Sequence, residues 1–160
     1  MLAKSCALIL VLLIASPAYG ANLPDPSVTP GAINPAVTQE NIQQTICVRG
    51  WTKTIRPPEA YTDALKLKQL RDEGAADMNP RHYEEDHLIS LEIGGNPTDP
   101  KNLWPEAYEG PWGARVKDRL ENRLHREVCA GRRSLRDAQD MIREDWIAAY
   151  KRYFPEAAHR

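Results

Sequence analysis

The stretch Tyr83-Glu84-Glu85-Asp86-His87-Leu88-Ile89-Ser90-Leu91-Glu92-Ile93-Gly94-Gly95 decides the fold, together with Asn96-Pro97-Thr98-Asp99-Pro100-Lys101 and Asn102-Leu103-Trp104-Pro105 after it. His87 to Ile93 alternates partly between apolar and polar residues, which predicts a strand with an Asp-His pair at its start. A loop rich in Gly, Pro, Asn and Asp follows. A second short apolar segment then opens with Asn102. Asp86 is a hard oxygen ligand for a divalent cation. His87 beside it takes a proton near neutral pH. A base next to a metal ligand suits hydrolysis of a phosphodiester, in which one group activates water and the ion neutralises the developing charge.

Downstream, Ala114 to Val128 has the period of a helix. Val116, Leu120, Leu124 and Val128 recur every four residues as a buried stripe. Asp118, Glu121 and His125 line an adjacent stripe. Strand, loop, strand, helix is therefore the expected order.

These residues carry a resemblance. Asp86-His87, the Gly94-Gly95 loop and Asn102-Leu103 resemble the first two elements of an HNH nuclease, the ββα-metal finger. The longer string, with Asn102-Leu103-Trp104-Pro105 and Lys117-Asp118-x-x-Glu121-x-x-x-His125, is similar to a group of small secreted bacterial HNH-like proteins. The resemblance implies His87 as general base, Asp86 as metal holder and Asn102 as the residue that fixes the base and its loop. It implies a further ligand from the helix. His125 ranks first, because Glu121 and His125, four residues apart on one face, can grip an ion; Glu121 ranks second and Asp118 third. In one respect the chain departs from the pattern: an HNH motif carries its last His within about one helical turn of the second strand, whereas here the next His after Asn102 is His125.

The start of the chain reads as a secretory signal peptide over residues 1–20, with Lys4, the apolar run Cys6 to Ala15, and Ala18-Tyr19-Gly20 at the cleavage position. The apolar run is short for a membrane span. The expected location is thus secreted or periplasmic, with no membrane contact after cleavage. Beyond it, residues 21–37 are Pro-rich and extended, and residues 38–155 form one domain. Cys47 and Cys129 are the two remaining cysteines, and an even pair in an oxidising compartment suggests one disulfide; two buried free thiols are the alternative.

The whole chain carries a formal charge of −1, which gives no support to nucleic-acid binding. From Gly113 to Arg136, however, eight basic residues face three acidic ones. Arg115, Lys117, Arg119 and Arg123 are the candidate phosphate contacts in that segment; a solvated helix face is the bland alternative.

Elsewhere, Thr38 reads as the cap of a short helix with Ile42 and Ile46 on one face. Trp51 to Ile55 is β-branched and alternating, which predicts a short strand or extended segment. Tyr61 to Glu73 reads as a helix stopped by Gly74. Ser134 caps a last helix with Asp137 at the reciprocal position, and Pro155 stops it. Trp104, Trp112 and Trp146 read as packing residues.

The expected fold is a small single α+β domain, a ββα-metal finger surrounded by three further helices. The expected activity is that of a metal-dependent endonuclease using Mg²⁺, Mn²⁺ or Zn²⁺ on nucleic acid, DNA rather than RNA, with a monomer as the default state. The alternative is a non-catalytic secreted domain that keeps the same finger for metal binding or structure.

Overall fold

Two antiparallel strands, β1 (Tyr83–His87) and β2 (Leu103–Ala107), pair in the register Glu85↔Pro105 and His87↔Leu103. Pro105 is tolerated because a two-stranded sheet has only edge strands. The computed structural model describes residues 23–155. The expected signal peptide lies outside them. Among the described residues no helix is long and apolar enough to cross a membrane.

The alternation predicts a strand over His87–Ile93, but the strand lies earlier and His87 is its last residue. Leu88, Ile89, Leu91 and Ile93 are all buried. A strand there would bury Ile89, Leu91 and Ile93 on one face but turn Leu88 to the other; the chain instead coils into a 3₁₀ turn over Leu91–Ile93. The Ser90 hydroxyl caps that turn by accepting from the Glu92 amide at 3.2 Å.

Four helices accompany the sheet: α1 (Trp51–Ile55), α2 (Glu59–Asp72), α3 (Ala114–Cys129) and α4 (Leu135–Tyr153). The fold is thus α+β, with β1, β2 and α3 in the ββα order and three further helices around them. The short helix α1 replaces the strand predicted from Trp51 to Ile55. Thr52, Thr54 and Ile55 favour extended backbone, but among the described residues no strand lies beside the segment to pair with it. It closes instead into one helical turn, with the Thr54 hydroxyl donating to the Trp51 carbonyl. The helix expected after Thr38 is only a 3₁₀ turn over Ile42–Gln44, although Ile42 and Ile46 are buried as expected.

Helix α3 buries Leu120, Leu124 and Val128 against Ile142, Trp146 and Ala149 of α4. Each such aliphatic side chain contributes about 1.5–3 kcal/mol on burial. Ser134 caps α4 by accepting from the Asp137 amide at 3.0 Å. A kink at Asp145 divides α4, and the Asp145 carboxylate there accepts from the Ala148 amide, which restarts the helix. Trp104 and Trp146 are buried, and Trp112 meets Trp146 and Tyr150 edge-on.

Cys47 and Cys129 are joined by a disulfide, with Cα atoms 5.5 Å apart. It ties the end of α3 to the turn after Ile46.

Candidate functional site: a histidine cleft and a buried lysine

Side chains along β1 alternate between faces. Glu84 and Asp86 share one face with Glu106 and Trp104, and α3 reaches this face. Glu85 and His87 share the other face with Pro105 and Leu103, and α2 packs against the strands. The neighbours Asp86 and His87 therefore open onto different surroundings.

His87 lines a cleft of about 410 Å³ together with Arg56, Glu59, Asp63, Lys66, Glu84, Glu85 and Tyr108. Its Nε2 lies 3.0 Å from the Pro97 carbonyl. A carbonyl only accepts, so Nε2 carries the proton and Nδ1 keeps its lone pair. No hydrogen bond reaches Nδ1 from the described residues. Burial pushes the His87 pKa down, against the pull of the neighbouring Asp86 carboxylate. The ring is therefore neutral at pH 7, with one nitrogen able to take a proton.

Asn102 sets the loop that supplies the Pro97 carbonyl. Its side-chain oxygen accepts from the Ile89 amide at 2.9 Å, and its amide nitrogen donates to the carbonyls of Ile89 and Asn96, each at 3.0 Å. Gly95 is required here because a Cβ would lie 1.7 Å from the Ile89 carbonyl oxygen. Gly94 takes φ of +78°, which favours glycine. The Gly-Gly and Asn signals thus meet in one loop, one hydrogen bond away from His87.

On the opposite face, Lys117 of α3 is fully buried, with a relative exposure of 0%. Its ammonium donates to Asp86 Oδ2 at 2.5 Å, to the His87 carbonyl at 2.8 Å and to Glu121 Oε1. Three protons meet three acceptors, so the group is saturated. Burial would lower the Lys117 pKa, but Asp86, Glu121 and Glu106 outweigh it and hold it well above the usual value. Burial would likewise raise Asp86; the Lys117 ammonium, which is hydrogen-bonded to it, outweighs burial and holds Asp86 below its usual value. Glu106 is pushed up to about 10, mainly by burial and further by the nearby Asp86 carboxylate. It therefore keeps its proton at pH 7, and neither of its carboxyl oxygens has a hydrogen-bond partner. Burial pushes Glu121 to about 7 against the pull of Lys117.

Several sequence expectations change here. Lys117 was a candidate phosphate contact; it is sealed inside the finger and touches no solvent. Asp86 and Glu121, two of the candidate metal ligands, come together, but around an ammonium. His125, the first-ranked ligand, turns elsewhere: its Nε2–H donates to the Ile46 carbonyl at 2.9 Å. It sits beside the disulfide, and a ring nitrogen of His125 and the sulfurs of Cys47 and Cys129 lie within 4.8 Å of one another. That group could hold a metal ion, but its sulfurs are bonded to each other. Asp86, Glu121 and His125 form no such group among the described residues. Asp118 is exposed, its pKa raised by partial burial and by Asp86.

Arg115, Arg119 and Arg123 are exposed on α3. The Arg119 guanidinium lies over the Phe154 ring at 4.8 Å and the Tyr150 ring at 5.5 Å. Arg123 pairs with Glu127 at 3.0 Å and lies over Tyr153. Arg115 is close enough to Tyr108, at the rim of the cleft, to act on its pKa.

Sequence reading passed over Arg56, Lys66 and Glu106, and read Glu85 only as negative charge next to Asp86. Arg56 lies between α1 and α2, in a Pro-bounded link with no recognisable motif. Its charge acts on His87, Glu84 and Asp118. Glu85 is buried, neither of its carboxyl oxygens has a hydrogen-bond partner, and burial pushes its pKa to about 8. Lys117 had a signal: it stands at i−3 from Leu120 and i−4 from Glu121, on the edge of the buried stripe.

Family models, curated proteins and solved structures were compared with the chain, and none matches.

Proposed function

We propose that this chain is an HNH-like phosphodiester hydrolase acting on nucleic acid, DNA by preference, with His87 as general base. One observation carries the reading. The Pro97 carbonyl holds the Nε2–H of a neutral His87, a residue that lines the cleft, which leaves Nδ1 with its lone pair to take a proton from water. Arg56 and Lys66 line the same cleft and supply positive charge toward a phosphate. Glu85, two residues before His87 on the same strand face, keeps its proton to about pH 8, and its carboxyl oxygens are buried behind the cleft surface. Asn102 acts through the loop, as the resemblance implies.

The resemblance also implies a divalent ion held by Asp86 and a helix residue. The side chains do not fit one. Asp86 and Glu121 are both committed to the Lys117 ammonium, and His125 points to Ile46. No step of the reaction is therefore assigned to an ion. The disulfide fits an oxidising compartment, and with the N-terminal signal it supports export from the cytoplasm.

A second reading has its own support. Even with Glu85 protonated, Glu59, Asp63 and Glu84 outnumber Arg56 and Lys66 in the cleft, a poor balance for a polyanion. A non-catalytic secreted domain built on the same finger accounts for that. The deciding experiment incubates the purified mature chain with plasmid, single-stranded DNA and RNA, beside the His87→Ala variant. Cleavage by the parent chain that is lost in the variant supports the hydrolase. Equal results from both chains support the non-catalytic domain.

A further inference from the structure

A divalent ion between a strand and a helix has two structural tasks: it neutralises converging carboxylates and it ties the elements together. Lys117 does both. It projects from the first turns of α3, and its three protons go to Asp86, to the His87 carbonyl and to Glu121. Two of these partners lie on β1 and one on α3. Glu106 of β2 completes the surroundings as a buried carboxyl. The side chain of Asp86 is 19% exposed, whereas that of Lys117 is 0% exposed. An ion at the point where the ammonium stands would meet the same two carboxylates, Asp86 and Glu121, with a second positive charge beside them. Ammonium and ion thus compete for one position.

We propose that Lys117 is a built-in cation standing where the divalent ion of a ββα-metal finger would stand, so that this finger assembles without metal. The inference deepens the HNH-like reading and rests on its ββα finger. The bond to the His87 carbonyl gives the substitution a further consequence. The cation that closes the finger also fixes the backbone of the proposed base, a task that does not require contact with substrate. Charge toward the phosphate then falls to groups that line the cleft, Arg56 and Lys66, since Lys117 is sealed from it.

The test reads metal binding and stability, not cleavage, so it can fail or succeed independently of the hydrolase. The full mature chain is titrated with Mn²⁺ and followed by electron paramagnetic resonance, and its melting temperature is measured with Mn²⁺, with Mg²⁺ and with EDTA. Asp86→Asn and Lys117→Ala are measured alongside. The parent chain should hold no stoichiometric Mn²⁺ and should melt at one temperature in all three solutions. Lys117→Ala removes the ammonium and leaves its carboxylates, so it should melt lower, and its melting temperature should rise with added Mn²⁺. Stoichiometric Mn²⁺ on the parent chain that disappears in Asp86→Asn overturns the proposal. A folded Lys117→Ala that remains indifferent to Mn²⁺ overturns it as well. If Lys117→Ala does not fold under any condition, the parent and Asp86→Asn titrations decide alone.

Discussion

The ammonium of Lys117 stands 2.5 Å from the carboxylate of Asp86, at a point inside the finger that solvent does not reach. Burying one member of such a pair without the other is costly, because the remaining charge has neither water nor counter-ion. Lys117→Met should therefore lower stability by about 3–5 kcal/mol, read as a shift in the urea midpoint with little change in slope. An effect below about 1 kcal/mol, the range of exposed pairs, would mean the pair is open to water.

The carboxyls around this pair predict the pH dependence of stability. Glu106 and Glu85 are held up to about 10 and about 8, and Glu121 to about 7. Each raised group binds a proton in the folded chain at a pH where the unfolded chain has released it. Stability should then fall as pH rises from the ordinary carboxylate range through these values. His87, with its lowered pKa, acts in the opposite direction, but only below its unfolded value of 6.5. Urea unfolding at pH 6.5, 8 and 9.5 should show a steady loss of stability. Glu106→Gln mimics the protonated form and should flatten that loss; an unchanged slope would remove Glu106 from the account.

His87→Ala should reduce cleavage by about 10²–10⁴-fold, the usual contribution of a general base. Circular dichroism should still report the helices. The parent rate should rise with pH on the acid side and level off below pH 7, because burial keeps the His87 pKa below 6.5. A rate that still climbs steeply between pH 7 and 9 would point to another base.

Asn102→Ala removes one acceptor and two donors that hold the loop after Ile89. Each orphaned buried group costs about 1–3 kcal/mol. The variant should be less stable, and cleavage should drop although Asn102 does not line the cleft. Parent-level activity at a temperature where the variant is folded would show that the loop does not position His87.

Arg56→Glu tests the cleft against the helix face. If Arg56 meets a phosphate, the variant should bind nucleic acid more weakly, and the slope of log affinity against log salt should shrink by about 0.9 for duplex DNA. Arg119→Glu and Arg123→Glu should matter less, since those guanidinium groups lie over aromatic rings. The reverse order of effects would place the nucleic acid on α3, as the charge run suggests.

Reduction of Cys47–Cys129 should cost about 4–5 kcal/mol in the chain-entropy view, given the 82-residue separation. Melting with and without a phosphine reductant measures it, and equal melting temperatures would mean the bridge adds nothing.

By itself the sequence determined whatever depends on neighbours along the chain. The four-residue recurrence of Leu120, Leu124 and Val128 marked α3, the Ser134–Asp137 pair marked the start of α4, and Gly94-Gly95 with Asn102 marked the loop whose Pro97 carbonyl holds His87. The cysteine pair was legible because only two remain after the expected signal. Tertiary structure decided which way each polar group turned. β1 ended at His87, the chain after it turned so that Leu88 was buried along with Ile89, Leu91 and Ile93, and the imidazole came to line a cleft. Lack of a neighbouring strand made Trp51–Ile55 a helix. Lys117 shows the reason most clearly. A lysine at the edge of an apolar stripe reads as a surface cation, since burying an ammonium alone is prohibitive. Only the fold brings Asp86, from a strand 31 residues earlier, to within hydrogen-bonding distance and makes the buried position the stable one.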